Sequence, residues 1–284
     1  MRFGLHVSIG KGLTKAVEAA TILGCDCFQI FAGNPRGWKR KPLDPSEVEE
    51  FKKKLKSSGL RPVVVHLSYL PNPASDDPEL YEKSILAIGE DYRRAIELGA
   101  DYFVVHPGRV GKGKNMEEGI LRVATGIRKV LSVVQGNTLF LLENQAGAGT
   151  EIARSFSEME RILREINRPE RMGVCLDTCH AFAAGYNLSS QEGIDELLSE
   201  VDETIGFSSI PLMHLNDAVG EVGSHLDRHA SIGEGKIGKE GFGLLLSDPR
   251  VHQLAGILET PRTSDDDDLR NLAILRELFR GGEK

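Results

Sequence analysis

His66, His106, Glu143, Asp177, His214 and Glu259 each close a short, mostly apolar run of the chain. The runs are Val63-Val64-Val65-His66, Phe103-Val104-Val105-His106, Leu139-Phe140-Leu141-Leu142-Glu143, Gly173-Val174-Cys175-Leu176-Asp177, Pro211-Leu212-Met213-His214 and Gly256-Ile257-Leu258-Glu259. Imidazole and carboxylate together suit zinc, manganese and iron. Two further pieces extend the set: His180 in Asp177-Thr178-Cys179-His180, and the D-x-H pair Asp227-Arg228-His229. That makes nine candidate ligands: five histidines, two aspartates and two glutamates. One metal takes three or four protein ligands. Nine ligands, with one or two carboxylates bridging, therefore fit two or three metals. A single histidine at a strand end often does no more than satisfy a hydrogen bond at a barrel rim. Repetition in six consecutive units is what points to a polynuclear site. His6 ends the first run and is read as a support behind the ligands. His225 and His252 fall off the pattern and are read as non-ligands.

The six strand-end residues are 40, 37, 34, 37 and 45 positions apart, each gap about one strand-plus-helix unit. Eight strands are expected, over 3–8, 27–32, 62–67, 102–106, 138–143, 172–177, 210–215 and 255–259. Most are continuous apolar runs, as parallel strands covered on both faces require. Helical patterns lie between them. In 80–99, Tyr81, Ile85, Ile88, Tyr92 and Ala95 recur at spacings of 4, 3, 4 and 3. Met159, Ile162, Leu163 and Ile166 mark a second helix in 155–167, and a last helix is expected over about 266–280. It opens on Asp265-Asp266-Asp267-Asp268, acids that suit the positive end of a helix dipole. Strict βα alternation in eight units predicts an α/β fold, a (β/α)8 TIM barrel forming one domain over 1–284, with an open doubly wound sheet as the alternative. In a barrel every strand's C-terminal end lies on one face, so the candidate ligands converge there. The connection over about 216–238 is expected to be a long glycine-rich loop with a functional role.

The 284-residue chain carries 35 Lys and Arg against 42 Asp and Glu, a net charge of −7. That balance argues mildly against a polyanionic partner. Local clusters argue the other way: Arg36, Lys39, Arg40 and Lys41, then Arg109, Lys112 and Lys114. Both follow strand ends, so both are expected to face the mouth, where a basic rim would meet a phosphate backbone. No apolar run nears the roughly 20 residues of a membrane span. Met1-Arg2-Phe3-Gly4 enters a strand pattern without a signal-peptide pattern, so a cytoplasmic protein is expected. Cys25, Cys27, Cys175 and Cys179 form no C-x-x-C pair and are expected to be free and buried.

Three segments carry a family resemblance. They are Phe103-Val104-Val105-His106-Pro107-Gly108, Gly173 through Tyr186 (GVCLDTCHAFAAGY), and His214-Leu215-Asn216-Asp217 continuing through Asp227-Arg228-His229 to Ile232-Gly233-Glu234-Gly235-Lys236-Ile237-Gly238. The sequence resembles endonuclease IV, the zinc-dependent apurinic/apyrimidinic (AP) endonuclease family. The resemblance implies a TIM barrel with three zinc ions at its mouth. It implies His66, His106 and Glu143 around the first ion. Glu143, Asp177, His214 and Glu259 go with the second, Glu143 bridging, and His180, Asp227 and His229 with the third. Glu143 takes the catalytic role. Arg36 and Tyr69 match the positions that enter DNA at the lesion. The implied reaction is hydrolysis of the phosphodiester 5′ to an abasic site in double-stranded DNA, leaving a 3′-hydroxyl and a 5′-deoxyribose phosphate. A monomer is expected. The sequence departs from the family pattern at Leu67, Pro71, Pro73 and Ala230, none of them a ligand position. Two other readings stand beside this one: a sugar isomerase or epimerase on the same barrel, and a non-catalytic binder of damaged DNA. The excess of imidazoles disfavours the first, and the intact nine-ligand set disfavours the second.

Overall fold

The computed structural model describes residues 1–282, so the last two positions of the 1–284 span lie outside it. Eight strands form a closed parallel barrel: β1 (Arg2–His6), β2 (Cys27–Phe31), β3 (Val63–His66), β4 (Tyr102–Val105), β5 (Leu139–Glu143), β6 (Met172–Asp177), β7 (Leu212–His214) and β10 (Ala255–Leu258). Each neighbours the next in chain order, and β10 closes on β1. All eight fall where the apolar runs predict them, shorter by one to three residues in most cases. The helices are α1 (Leu13–Ile22), α2 (Pro45–Ser58), α3 (Pro78–Leu98), α4 (Met116–Val133), α5 (Phe156–Ile166), α6 (Thr178–Ala184), α7 (Gln191–Thr204), α8 (Gly238–Ser247) and α9 (Asp265–Gly282). The two segments between β7 and β10, β8 (Asp217–Ala218) and β9 (His229–Ala230), pair antiparallel as a small ribbon. The connection expected as a loop is thus partly paired.

Strand pleating explains where the side chains go. Residues i and i+2 share a face. Phe28, Ile30, Val63, Val65, Phe103, Val105, Phe140 and Leu142 point outward and pack under the helices. Cys27, Val64, Val104, Leu141, Cys175, Leu212, Ala255 and Ile257 form a second apolar cluster inside the barrel. Gly4 lies opposite Cys27, where a Cβ would come within 2.0 Å of the Cys27 carbonyl oxygen. A step of two residues from Gly4, Cys27, Val64, Val104, Leu141, Cys175, Leu212 and Ile257 reaches His6, Gln29, His66, His106, Glu143, Asp177, His214 and Glu259. Each strand thus carries a polar residue one inward-facing position beyond its apolar filler, towards the C-terminal mouth.

Local signals start and stop the surrounding helices. The Asp44 carboxylate accepts from the Ser46 N–H at the start of α2, Asp77 accepts from Glu79 and Leu80 at the start of α3, and Ser155 accepts from Glu158 at the start of α5. Gly59 and Gly99 end α2 and α3 in the left-handed conformation. All four cysteines are free and buried, as expected. Among the described residues no helix is long and apolar enough to cross a membrane.

The first basic cluster needs a correction. Arg40 does not face the mouth. Its guanidinium turns inward, donates from Nε to Asp91 Oδ1 at 2.7 Å and from Nη2 to Asp91 Oδ2 at 2.8 Å, and also reaches Ser68 Oγ at 2.8 Å. Nη1 donates to the carbonyls of Asn34 and Gly37. The pair is buried, with side-chain exposures of 3% and 1%. Arg40→Ala therefore strands a buried Asp91 carboxylate. It should cost about 3–5 kcal/mol of stability, measured by denaturant unfolding; a loss below about 1 kcal/mol would show that the pair is solvated.

Candidate metal centre

The nine predicted ligands come together at the C-terminal mouth of the barrel. Three groups whose ligand atoms lie within 4.8 Å of one another hold all nine: His66, His106 and Glu143; Glu143, Asp177, His214 and Glu259; and His180, Asp227 and His229; two further groups, His66 with His214 and Glu259, and Asp177 with Cys179 and His229, cut across them. Glu143 belongs to two of them, and its two oxygens divide the work. Oε2 faces His66 Nε2 at 3.0 Å and His106 Nε2 at 2.9 Å. Oε1 faces His214 Nδ1 at 3.0 Å and His180 Nδ1 at 3.3 Å. Asp177 and His214 are register partners on β6 and β7. His180 sits in the first turn of α6, where the Asp177 carboxylate caps its N–H at 2.8 Å. The ribbon carries the last two: Asp227 Oδ1 lies 3.1 Å from His180 Nε2 and 3.4 Å from His229 Nε2.

Whether these residues fit metal ions can be judged from the imidazoles. A ligating histidine donates its far N–H to a fixed acceptor and keeps the other nitrogen's lone pair for the metal. Backbone carbonyls only accept, so His66 Nδ1 donates to Leu67 O at 2.7 Å, His180 Nδ1 to Asn144 O at 2.9 Å, and His229 Nδ1 to Glu259 O at 3.1 Å. The Nε2 lone pairs of all three are left pointing at the carboxylate groups. His214 is reversed: Nε2 is held by Gln29 Oε1 at 2.9 Å and Nδ1 faces Glu143. His229 Nε2 is buried and makes no hydrogen bond. A buried polar atom without a partner asks for one, and here a metal would provide it. The set fits.

The electrostatics of the metal-free cluster agree. Burial opposes the charged form of His106, but the Glu143 carboxylate outweighs it and raises the pKa. Burial also opposes charge on His180 and His214, yet Asp177, Asp227 and Glu143 hold the first, and Cys175, Glu259 and Glu143 the second, well above the usual imidazole range. His229 is raised to about 9: burial works against the cation, and the nearby carboxylates of Asp227, Asp177 and Glu259 prevail. Burial pushes Glu143 and Glu259 up, but the imidazoles hold both well below the ordinary glutamate range. The same carboxylates that raise these imidazoles would favour a bound cation. Cys179 also lies near Asp177 and His229. Burial, then the Asp177 charge, push it up to about 12, so it stays a thiol where a ligand must be a thiolate.

Three supporting residues carry no ligand-type signal. Gln29 accepts from His214 and donates from Nε2 to Glu259 Oε1 at 2.7 Å and towards His6 Nδ1 at 2.9 Å. Asn216 donates to Asp177 Oδ2 at 2.6 Å and accepts from the Glu259 N–H at 2.8 Å. Asn144 accepts from the Asp177 N–H at 2.7 Å. Each shows in the sequence only as a polar residue in or beside an apolar run. His6 stands behind Glu259, 3.6 Å from Oε1, as a support should. His225 bonds the Ala146 carbonyl and His252 the Leu246 carbonyl, both outside the three groups.

Arg36 and Tyr69 occupy neighbouring mouth loops. Tyr69 is 72% exposed and stands edge-on to Phe31 with ring centroids 5.3 Å apart. It lines the same cavity, of about 290 Å³, as His66, His106, His180, Asp227, His229 and Glu259. Arg36 is exposed. Arg40 ties the two loops together through Ser68 and the Asn34 and Gly37 carbonyls. The proline-bearing loop beyond Tyr69 is fastened too: the Asn72 amide donates to Arg109 O at 2.8 Å and accepts from Arg109 N at 2.9 Å.

Fold and site together define a xylose isomerase-like TIM barrel with a histidine–carboxylate cluster in its mouth, and residues 17–278 match the family model of that description. Over 277 residues the chain is 44% identical to a probable endonuclease 4 of Halothermothrix orenii, covering 97% of this chain and 99% of that one. The crystal structure of endonuclease IV from Thermus thermophilus superposes with a TM-score of 0.88 at 40% identity, covering 99% of this chain and 100% of that one. The chain belongs to the endonuclease IV family, a family of nucleases. A D-tagatose 3-epimerase-like protein shares the barrel at a TM-score of 0.74 and 19% identity, covering 100% of this chain and 98% of that one, a likeness of fold alone.

Proposed function

We propose that this protein is an AP endonuclease of DNA repair, hydrolysing the phosphodiester 5′ to an abasic site in double-stranded DNA and leaving a 3′-hydroxyl and a 5′-deoxyribose phosphate. The observation that carries this is the convergence of nine ligands in one mouth, where they can be divided into three groups with Glu143 shared between two. His66, His106 and Glu143 would hold one zinc ion. Glu143, Asp177, His214 and Glu259 would hold a second, and His180, Asp227 and His229 a third. Zinc, when bound, supplies positive charge against the phosphodiester and lowers the pKa of water towards about 7. Glu143 has no solvent exposure and is held well below the ordinary glutamate range. It is therefore a carboxylate at neutral pH, able to orient the attacking water and accept its proton at a fixed place. Gln29 and Asn216 hold Glu259 and Asp177 in position from behind. Lys39, Lys41, Arg109, Lys112 and Lys114 supply a basic rim for the sugar-phosphate track. The span 1–284 acts as one domain and as a monomer in the cytoplasm, where free buried thiols are at home.

An abasic nucleotide has no base to unstack, so extruding it from the helix costs less than extruding a normal one. Tyr69 and Arg36 are the side chains we assign to the resulting gap. Tyr69→Ala and Arg36→Ala should each weaken binding to an abasic duplex by about 1–3 kcal/mol, the order found for aromatic stacking on bases, while zinc content stays unchanged. Affinity for abasic and intact duplexes at one salt concentration checks this. Equal losses on both would make these side chains backbone contacts rather than lesion readers.

The reading as a whole is tested by nicking. A labelled duplex with one abasic analogue should be cut once, on the 5′ side, and the intact duplex should not be cut. A purified, zinc-loaded protein that leaves the abasic strand whole overturns it. Conversion of a ketose to its epimer by the same preparation would favour the sugar enzyme.

A further inference from the structure

We propose that Asp217 is a positioning residue: its buried carboxylate gathers the backbone N–H groups of Gly233, Gly235, Ile237 and Gly238, and so fixes the ribbon that carries Asp227 and His229 to the mouth. The inference rests on the metal reading above for its consequence, though not for its geometry. Asp217 has no solvent exposure, and the contacts its carboxylate makes among the described residues are hydrogen bonds from backbone N–H groups. An unpaired carboxylate in such a place is costly unless hydrogen bonds replace its water. Here five do. Oδ2 accepts from Gly233 N at 2.9 Å and Gly235 N at 3.0 Å. Oδ1 accepts from Ala218 N at 2.9 Å, Ile237 N at 3.0 Å and Gly238 N at 3.3 Å.

This arrangement accounts for the segment Gly233-Glu234-Gly235-Lys236-Ile237-Gly238, which the proposed chemistry leaves unexplained. Successive N–H groups can converge on one anion only if the backbone curls into a concave nest. Gly233 and Gly238 have φ of +82° and +70°. At Gly235 a Cβ would lie 2.5 Å from both the Ala218 carbonyl oxygen and Asp217 Oδ1. Helix α8 begins at Gly238 with no side-chain cap of its own. Asp217 supplies that acceptor from another part of the chain, with a negative charge at the positive end of the helix. Lys236 N donates to Ala218 O at 2.8 Å and closes the clamp. The ribbon lies between the two clamped ends: Asp217 pairs with Ala230 and Ala218 with His229, and Val219 N donates to Arg228 O at 3.0 Å. Asp227 and His229 thus depend on Asp217 for their reach to His180.

Asp217→Asn keeps the shape but turns an NH2 towards two backbone N–H groups. Wild type, D217N and Asp227→Asn are compared for zinc per chain and for nicking of an abasic duplex. D217N should hold about two zinc ions where wild type holds about three, and should nick about 10–100-fold more slowly, the usual effect of removing a residue that orients ligands. Added zinc should return its nicking towards wild type because His180, Asp227 and His229 are intact; Asp227→Asn should not recover. General loosening of the barrel would lower all three sites, not one. D217N with full zinc and wild-type nicking overturns the proposal. Wild type holding fewer than about three zinc ions defeats the metal reading instead. Then, or if D217N does not fold, amide exchange in wild type decides the clamp: the N–H groups of Gly233, Gly235, Ile237 and Gly238 should exchange slowly, and exchange at open-loop rates overturns it.

Discussion

Glu259→Gln should leave a folded barrel that nicks abasic DNA at least about 100-fold more slowly than wild type. Residues that merely orient metal ligands cost about 10–100-fold when removed, and Glu259 is itself a proposed ligand. The amide has the size of the acid but no charge. It also disrupts a fixed set of donors: Gln29 Nε2 donates to Oε1 at 2.7 Å and Asn216 Nδ2 lies 3.4 Å from Oε2. An NH2 group must then face one of them. Glu259 closes β10 at the catalytic end, and conservation of shape there has little to do with the apolar filling two residues below, Ile257. Thermal unfolding should therefore move little while turnover collapses. Initial nicking rates are measured with zinc content determined on the same sample. Near-normal rates at full zinc content would remove Glu259 from the site.

The ligands are legible in the sequence because two simple periods coincide. Apolar strand runs recur once per βα unit, and within each run the pleat sends every second residue into the barrel. A metal-competent side chain at the same phase of six runs is therefore visible without any contact information. The same phase holds for His6 and Gln29. Gln29 escapes a search by ligand chemistry, which passes over an amide, although a glutamine between Phe28 and Ile30 is itself a signal. Asn144 and Asn216 act through partners 33 and 39 residues away, and no local pattern encodes those. Arg40 shows the same limit from the other side. Its sequence neighbours are basic, so it reads as part of a rim, while Asp91, the partner that buries it, lies 51 residues on. The ribbon of β8 and β9 reads as loop because two-residue strands have no period to detect. Its glycines are visible, but nothing local marks Asp217, the carboxylate they surround, as their reason.

Stripping the metal by prolonged chelation should abolish nicking, and zinc should restore it as about three ions per chain are taken up. Zinc uptake is coupled to protons, with a sign that follows from the cluster. In the metal-free protein His106, His180, His214 and His229 are raised above the ordinary imidazole value of 6.5, His229 to about 9. A raised folded-state pKa contributes stability that is complete below the unfolded value and is lost as pH rises through the folded one. The metal-free protein should therefore melt at progressively lower temperature between pH 6.5 and about 9. Glu143, Glu259 and Asp227 are lowered, and their share of the same pairings is present above the ordinary carboxylate range and lost as pH falls. Zinc replaces these protons, so the loaded protein should lack the decline above pH 6.5. Adding zinc at about pH 7 should release protons, and apparent affinity should rise with pH. Calorimetry in two buffers of different ionisation enthalpy counts the protons. A metal-free melting temperature that is flat across this range, or zinc uptake without proton release, would show that the carboxylates do not hold these imidazoles protonated in the metal-free cluster.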